Sequence, residues 1–286
     1  MTFKETLDSG KFVITAELSP PKGVDIGDVL QKADFLIGKV HGVNVTDNQR
    51  AVLHLSSLAF CALLKQKGLD PILQMTCRDR NSLALQSDIL GAYALGIRNV
   101  LALSGDYPRK VQYKAVKPVF DIDSVQLVKL IRDMENGKDL AGEDLKGSPK
   151  FCVGAVVNPT ADPLDMQLIK LQKKVDAGAE FIQTQIVYDV NAFKFFRDRT
   201  KDIKTKYILG ILPFRTYKMA EFLANEVQGV NVPQSVLKRM ENAKDPVKEG
   251  IEISIEIINS LKGYIDGIHL MTLNYVDVIP EILSRI

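Results

Sequence analysis

The 286-residue sequence predicts an α/β chain folded as a (β/α)8 TIM barrel. Three observations predict it. Short β-branched apolar runs alternate with longer segments of helical period, and the pairing recurs eight times along the chain. The runs are near-continuously apolar, as parallel strands covered on both faces must be. Nearly every run ends on a polar residue, and barrels place their chemistry at the carboxyl ends of their strands. A doubly wound open sheet is the rival arrangement, but no G-x-G-x-x-G or Walker-type turn follows any run.

Taken in order, the first strand covers 12–18 and carries Glu17 near its end. Pro20 and Pro21 then remove two backbone donors and stop it. A helix over 26–37 follows. The second strand, 42–46, leads into Asp47-Asn48 and a helix over 52–67, which Gly68 closes. Strand 71–77 pairs with helix 81–95, and strand 99–104 with helix 124–136. Between that last pair lies a long basic loop, 105–121, with Arg109, Lys110, Lys114 and Lys117 on the face where a ligand would be covered. The polar stretch 137–150 reads as a connection on the opposite face. The fifth pair is 151–157 with 163–177, the sixth 181–185 with 191–200, the seventh 207–212 with 217–226. Residues 230–262 add extra helix before strand eight, with Pro233 and Pro246 as starts and Ile251, Ile255 and Ile258 facing the barrel wall. Strand 267–271 and helix 276–284 complete the pattern. With no linker in view, one catalytic domain over 1–286 is expected.

Bulk composition narrows the function. A 46% hydrophobic content can build a sizeable core, and 37 basic residues against 35 acidic leave no global case for nucleic-acid binding. Cys61, Cys77 and Cys152 are too few and too scattered for a disulfide framework, and His41, His54 and His269 stand in no ligand spacing, so no bound metal is expected. No run approaches the ~18 apolar residues of a membrane span. A cytoplasmic protein without a signal peptide is expected. The cysteines read as packing residues, and His269 as a structural one inside an apolar run.

The strand ends are Glu17, Thr46-Asp47-Asn48, Thr76-Cys77-Arg78, Ser104-Gly105-Asp106, Asn158-Pro159, Gln185, Pro213-Phe214-Arg215 and Thr272-Leu273-Asn274. Carboxylates with amides and hydroxyls, and no histidine, suit a flat ligand rich in hydrogen-bonding groups. They do not suit a Ser-His-Asp hydrolase. Glu17 is the notable group, because a buried carboxylate without a partner is costly.

Glu17-Leu18-Ser19-Pro20-Pro21, Val45-Thr46, Met75-Thr76-Cys77, Ala102-Leu103-Ser104-Gly105-Asp106, Lys174-Val175-Asp176-Ala177-Gly178-Ala179, Thr184-Gln185, Gly210-Ile211-Leu212-Pro213 and Thr272-Leu273-Asn274, in that order, resemble the methylenetetrahydrofolate reductases over essentially the whole chain. The resemblance implies a flavin-bearing barrel that reduces 5,10-methylenetetrahydrofolate to 5-methyltetrahydrofolate by hydride transfer. The alternative it leaves is a flavin-carrying electron-transfer subunit, inactive with NAD(P)H on its own. Opening the methylene bridge requires a proton on the leaving nitrogen, so a carboxylic acid with a raised pKa is needed. The resemblance gives that role to Glu17. It makes Asp106 the carboxylate beside flavin and pterin, and has Gln185 and Tyr217 hold the folate. For the flavin it points to Thr46, Gln74, Ser104, Gly105, Asp106, Phe120, Asp121, Asn158, Gln167, Lys170, Lys173 and Lys174.

Departures from the family pattern lie around the fifth strand and helix. Asn158 stands where well-known bacterial members carry His, Gly154 replaces a Tyr, Gln167 an Asp and Lys170 an Asn. FAD follows family habit, and these changes bring FMN into consideration. Tyr275 replaces an Arg that helps bind the folate tail, and basic residues of the 105–121 loop are expected to substitute for it. The electron donor is NAD(P)H or an iron–sulfur or zinc-binding partner subunit. An oligomer is expected.

Overall fold

The computed structural model describes residues 1–108, 116–227 and 229–286. Arg109, Lys110 and Lys114 of the expected basic loop lie outside the described residues. Eight parallel strands close into a barrel in sequence order, as the apolar runs predict. They are β1 (Val13–Leu18), β2 (Gly42–Val45), β3 (Pro71–Thr76), β4 (Asn99–Leu103), β5 (Cys152–Val157), β6 (Phe181–Ile186), β7 (Lys206–Ile211) and β8 (Gly267–Leu270). Closure comes from β8 pairing with β1, where Thr15 lies opposite His269, while on the other side Glu17 lies opposite Asn44 of β2.

The barrel floor is a feature that the sequence reading omits. Helix α1 (Phe3–Asp8) is capped by a reciprocal pair, Thr2 and Glu5. It carries Phe3 and Leu7 into a cluster with Val13, Ile72, Leu101, Cys152, Phe181 and Ile208. The Phe3 ring meets Phe181 edge-on at 5.0 Å. Gly154 on β5 has a packing reason, since a Cβ there would sit 2.2 Å from the Phe181 ring.

The outer ring comprises α2 (Gly27–Leu36), α3 (Ser57–Gln66), α4 (Ser82–Ala94), α5 (Ser124–Glu135), α6 (Leu164–Asp176), α7 (Val190–Arg199) and α8 (Tyr217–Glu226), and α11 (Ile279–Leu283) closes the chain. Helix α3 starts at Ser57 and not at the expected 52. Asn48, Arg50 and Ala51 have φ of 44°, 57° and 58°, left-handed backbone that cannot lead into a right-handed helix. The helix begins once Ser56 accepts a hydrogen bond from the Ala59 N–H.

The extra segment before β8 is two helices, α9 (Gln234–Glu241) and α10 (Pro246–Leu261). Asp245 caps α10 one residue ahead of Pro246. Ile251, Ile255 and Ile258 are buried in the main core. Gly250 lets α10 lie against the turn after β7, because an added Cβ would be 2.0 Å from the Phe214 carbonyl oxygen.

Candidate active site

Above its apolar floor the barrel interior turns polar. Side chains alternate along a strand, so every second residue points inward. On β1 the inward series runs Val13, Thr15, Glu17, and on β6 it runs Phe181, Gln183, Gln185. Each moves from apolar floor to polar mouth. These residues open into a cavity of about 280 Å³. Its polar lining is Glu17, Gln74, Asn158, Gln167, Lys174, Gln183, Thr184 and Gln185, and its apolar walls are Leu101, Leu103, Val156, Val157 and Met271.

Glu17 is 4% exposed. Its Oε2 lies 3.7 Å from His269 Nε2, and its Oε1 has no partner among the described residues. Lys174, on α6, is 7% exposed and donates to the Val156 carbonyl oxygen at 2.7 Å. Burial first, and then the neighbouring Lys170, lower its pKa from 10.5 to about 8. The cavity thus holds a carboxyl on one side and an easily neutralised amine on the other.

The rim is held by a charged lattice. Asp47, just past β2, accepts from the Thr76 N–H and hydroxyl and from both terminal nitrogens of Arg80. Burial pushes the Asp47 carboxyl up, but Arg80 and Thr76 outweigh it and hold the pKa below 3.8. Arg78, 1% exposed, donates to the Asn48 and Asp106 carbonyl oxygens and to the Asp79 carboxylate. It therefore ties together the ends of β2, β3 and β4. Gly105 (φ 86°) lets the chain pass, since a Cβ would lie 2.9 Å from Arg78 Cβ. The Cys77 thiol is pushed up to about 12, by burial first, which suits packing and not nucleophilic attack.

Of the residues expected to form the site, Glu17, Gln74, Asn158, Gln167, Lys174 and Gln185 line this cavity. Thr46 sits at the end of β2 with its hydroxyl buried and unpartnered among the described residues. The others do not line the cavity. Ser104 Oγ bonds the Ser124 hydroxyl and N–H at the start of α5. Asp106 is exposed at the rim. Asp121 accepts from the Ser82 N–H and so caps α4. Phe120 stacks on Tyr107 at 6.2 Å. Lys170 and Lys173 are exposed on α6. Tyr217 begins α8, half-buried against the core. The Asn158 amide is engaged locally, donating to Gly229 O and accepting from Thr160. Beside the mouth, the Arg215 guanidinium lies 4.2 Å over the Tyr275 ring. Sequence reasoning missed Gln183, Thr184 and the apolar walls, Met271 among them. The inward alternation on β6 is the signal that would have found Gln183.

A family model described as methylenetetrahydrofolate reductase matches residues 2–286. The chain belongs to the methylenetetrahydrofolate reductase family. It is 31% identical over 248 residues to a probable methylenetetrahydrofolate reductase (NADPH) of Caenorhabditis elegans, covering 84% of this chain and 35% of that protein. The chain thus spans about a third of the length of that relative. It is 25% identical over 289 residues to a 5,10-methylenetetrahydrofolate reductase of Buchnera aphidicola, covering 95% of this chain and 91% of that one. Among solved structures, an uncharacterized Clostridium thermocellum protein that binds two copies of 5-methyl-5,6,7,8-tetrahydrofolic acid shares the fold. Its TM-score is 0.70 at 15% identity, over 99% of both chains. No helix among the described residues is long and apolar enough to cross a membrane.

Proposed function

We propose that the chain, as one domain over 1–286, catalyses the flavin-dependent reduction of 5,10-methylenetetrahydrofolate to 5-methyltetrahydrofolate. The observation that carries this reading is the buried Glu17 carboxyl, which faces an amide-lined cavity with one oxygen left unpartnered among the described residues. Family membership supplies the substrate class.

The lining fits a flavin. Leu101, Leu103, Val156 and Met271 offer apolar walls to a flat ring, and Gln74 and Gln183 offer amides to its polar edge. The buried Thr46 hydroxyl is a further group with hydrogen-bonding capacity to spare. Lys174 supplies an ammonium for a phosphate or ribityl oxygen, whether the group is FAD or FMN. When bound in its reduced form, the flavin supplies the hydride. The chain's own part is the proton. Glu17 gives it from Oε1 to the substrate nitrogen that leaves the methylene bridge, and the carbon, freed as an iminium, becomes the methyl group. Gln185 is held with its Oε1 accepting from the Ile186 N–H, which leaves its amide N–H groups to orient the pterin.

The test is direct. The purified protein is titrated with FAD and FMN, the bound species is identified by mass spectrometry, and methylenetetrahydrofolate consumption is followed. A protein that takes up neither flavin refutes the reading.

A second reading is a flavin-carrying subunit reduced by an iron–sulfur or zinc-binding partner. Exposed apolar side chains on the segments after β2 and β4 favour it: Tyr107 is 71% exposed, and Leu53, Val116 and Val119 are exposed as well. Mixing the flavin-loaded chain with NADH, NADPH and a reduced dye discriminates. Bleaching by NADH or NADPH counts against an obligatory partner.

A further inference from the structure

Glu17 must give up a proton and then recover one, yet no side chain that reaches the mouth was expected to serve it. The buried layer beneath supplies one. His269, on β8, is fully buried. The register puts it beside Thr15, and Glu17 beside Asn44, so four inward side chains from three adjacent strands come together, with Thr15 and Glu17 at successive inward positions of β1. The Asn44 amide Nδ2 lies 3.1 Å from His269 Nδ1 and the Thr15 hydroxyl 3.0 Å from the same nitrogen. The Asn44 Nδ2 group can only donate, so Nδ1 is the acceptor of that bond, while the Thr15 hydroxyl also has the Ile268 carbonyl oxygen as a partner at 3.2 Å. The proton of the neutral ring then sits on Nε2. Nε2 has no hydrogen-bond partner among the described residues, and the nearest carboxylate is Glu17 Oε2 at 3.7 Å.

We propose that His269 is a positioning residue for the Glu17 carboxyl, acting through its Nε2–H. This rests on the reading of Glu17 as the proton donor. The ring proton faces Oε2, so the acidic proton is held on Oε1, the oxygen without a protein partner. After Oε1 has passed that proton to the substrate nitrogen, Glu17 is left as a carboxylate. The Nε2–H then closes on it as a charge-assisted hydrogen bond. A buried carboxylate with no donor would be costly to form, and the imidazole lowers that cost in the state reached after proton transfer. The Asn44 amide, donating to Nδ1, fixes the tautomer that makes this possible.

The proposal separates His269 from a residue that merely fills space. His269→Leu removes the donor and is expected to lower kcat for folate reduction about 10- to 100-fold, the loss of one hydrogen bond to a charged group. KM and the rate of flavin reduction should stay within twofold or so of wild type. His269→Gln places an amide N–H near the Nε2 position and is expected to recover most of the loss. A His269→Leu enzyme with wild-type kcat overturns the proposal.

A second measurement needs no His269 variant. The chain has three histidines, so ¹⁵N-histidine NMR on the flavin-loaded protein resolves each ring. The His269 ring is expected as the Nε2–H tautomer, with an Nε2 signal that moves in Glu17→Gln. An Nδ1–H tautomer, or an Nε2 signal indifferent to Glu17→Gln, overturns the proposal. Failure of the underlying reading looks different: Glu17→Gln would turn over folate at the wild-type rate, which removes the acid role whatever tautomer His269 adopts.

Discussion

Replacing Lys174 with methionine should make the protein more stable at pH 7, and the gain should disappear as pH rises. Lys174 is buried, and its one hydrogen bond among the described residues goes to the Val156 carbonyl oxygen. The ordinary amine titrates at 10.5, whereas burial, with Lys170 nearby, lowers it to about 8 in the fold. Between those two values the unfolded chain binds a proton that the folded chain does not, so stability rises with pH. Below about 8 both states are charged and the fold carries the full cost of burial, about 3 kcal/mol on a drop of that size. Methionine keeps the stem and removes the charge, at the expense of the bond to Val156. The expected net gain at pH 7 is about 1–3 kcal/mol, a Tm rise of about 2–4 °C per kcal/mol. Urea unfolding of both proteins from pH 7 to 10.5 measures it. The quantity to follow is the difference between the two, in which other titrating groups such as Cys77 cancel. That difference should fall by about 3 kcal/mol across the range. A difference flat in pH refutes the assignment of a low-pKa buried amine. The variant should also lose flavin affinity, the usual exchange of function for stability.

Three further outcomes follow from other parts of the molecule. Glu17→Gln should take up and reduce flavin normally while folate reduction falls about 10²- to 10⁴-fold in a stopped-flow assay; near-wild-type folate reduction would show that Glu17 is not the acid. Arg80→Met strands the Asp47 carboxylate and should cost about 3–5 kcal/mol at neutral pH by urea unfolding. Because Asp47 is held below 3.8 in the fold, its contribution is present above that pH and lost as pH falls through the folded value, so wild type and variant should converge in acid. Phe3→Ala opens the barrel floor against Phe181 and should cost about 3–5 kcal/mol, read as a drop in the urea midpoint at unchanged slope.

Much of the fold was legible because a parallel strand buried on both faces is written as an apolar run, and each of the eight runs became a strand. Element starts were less so. Helix α3 is delayed by left-handed residues at 48, 50 and 51 that apolar periodicity does not register. Helix α1 is too short for apolar periodicity to register, although Thr2-Phe3-Lys4-Glu5 is a capping box legible in the sequence. The site was legible at the strand ends and less so inside. Treating strands as uniformly apolar hid the alternation that carries Gln183 and His269 inward. Ser104 and Asp121 show the converse: short polar groups after a strand also serve as helix caps, and only the fold tells which backbone N–H they meet.

The distribution of unpartnered buried groups gives the mouth a division of labour. Among the described residues eight side-chain atoms are buried without a hydrogen-bond partner; five of them, Glu17 Oε1, Asn44 Oδ1, Thr46 Oγ1, His269 Nε2 and Thr272 Oγ1, lie on β1, β2, β8 or within two residues of their ends, and the other three are on Asn99 of β4, Tyr207 of β7 and Arg215. Each such group costs about 1–3 kcal/mol unless something satisfies it. The opposite arc, from β3 through β6, presents Gln74, Gln183, Gln185 and Lys174 between apolar walls, and none of their polar atoms falls in that class. Five of the unpaired groups therefore gather around the Glu17 carboxyl, and the amides of the opposite arc line the surface against which a ring would lie in the proposed reaction. The apolar floor built on Phe3 and Phe181 is what lets the barrel carry the unpaired arc above it.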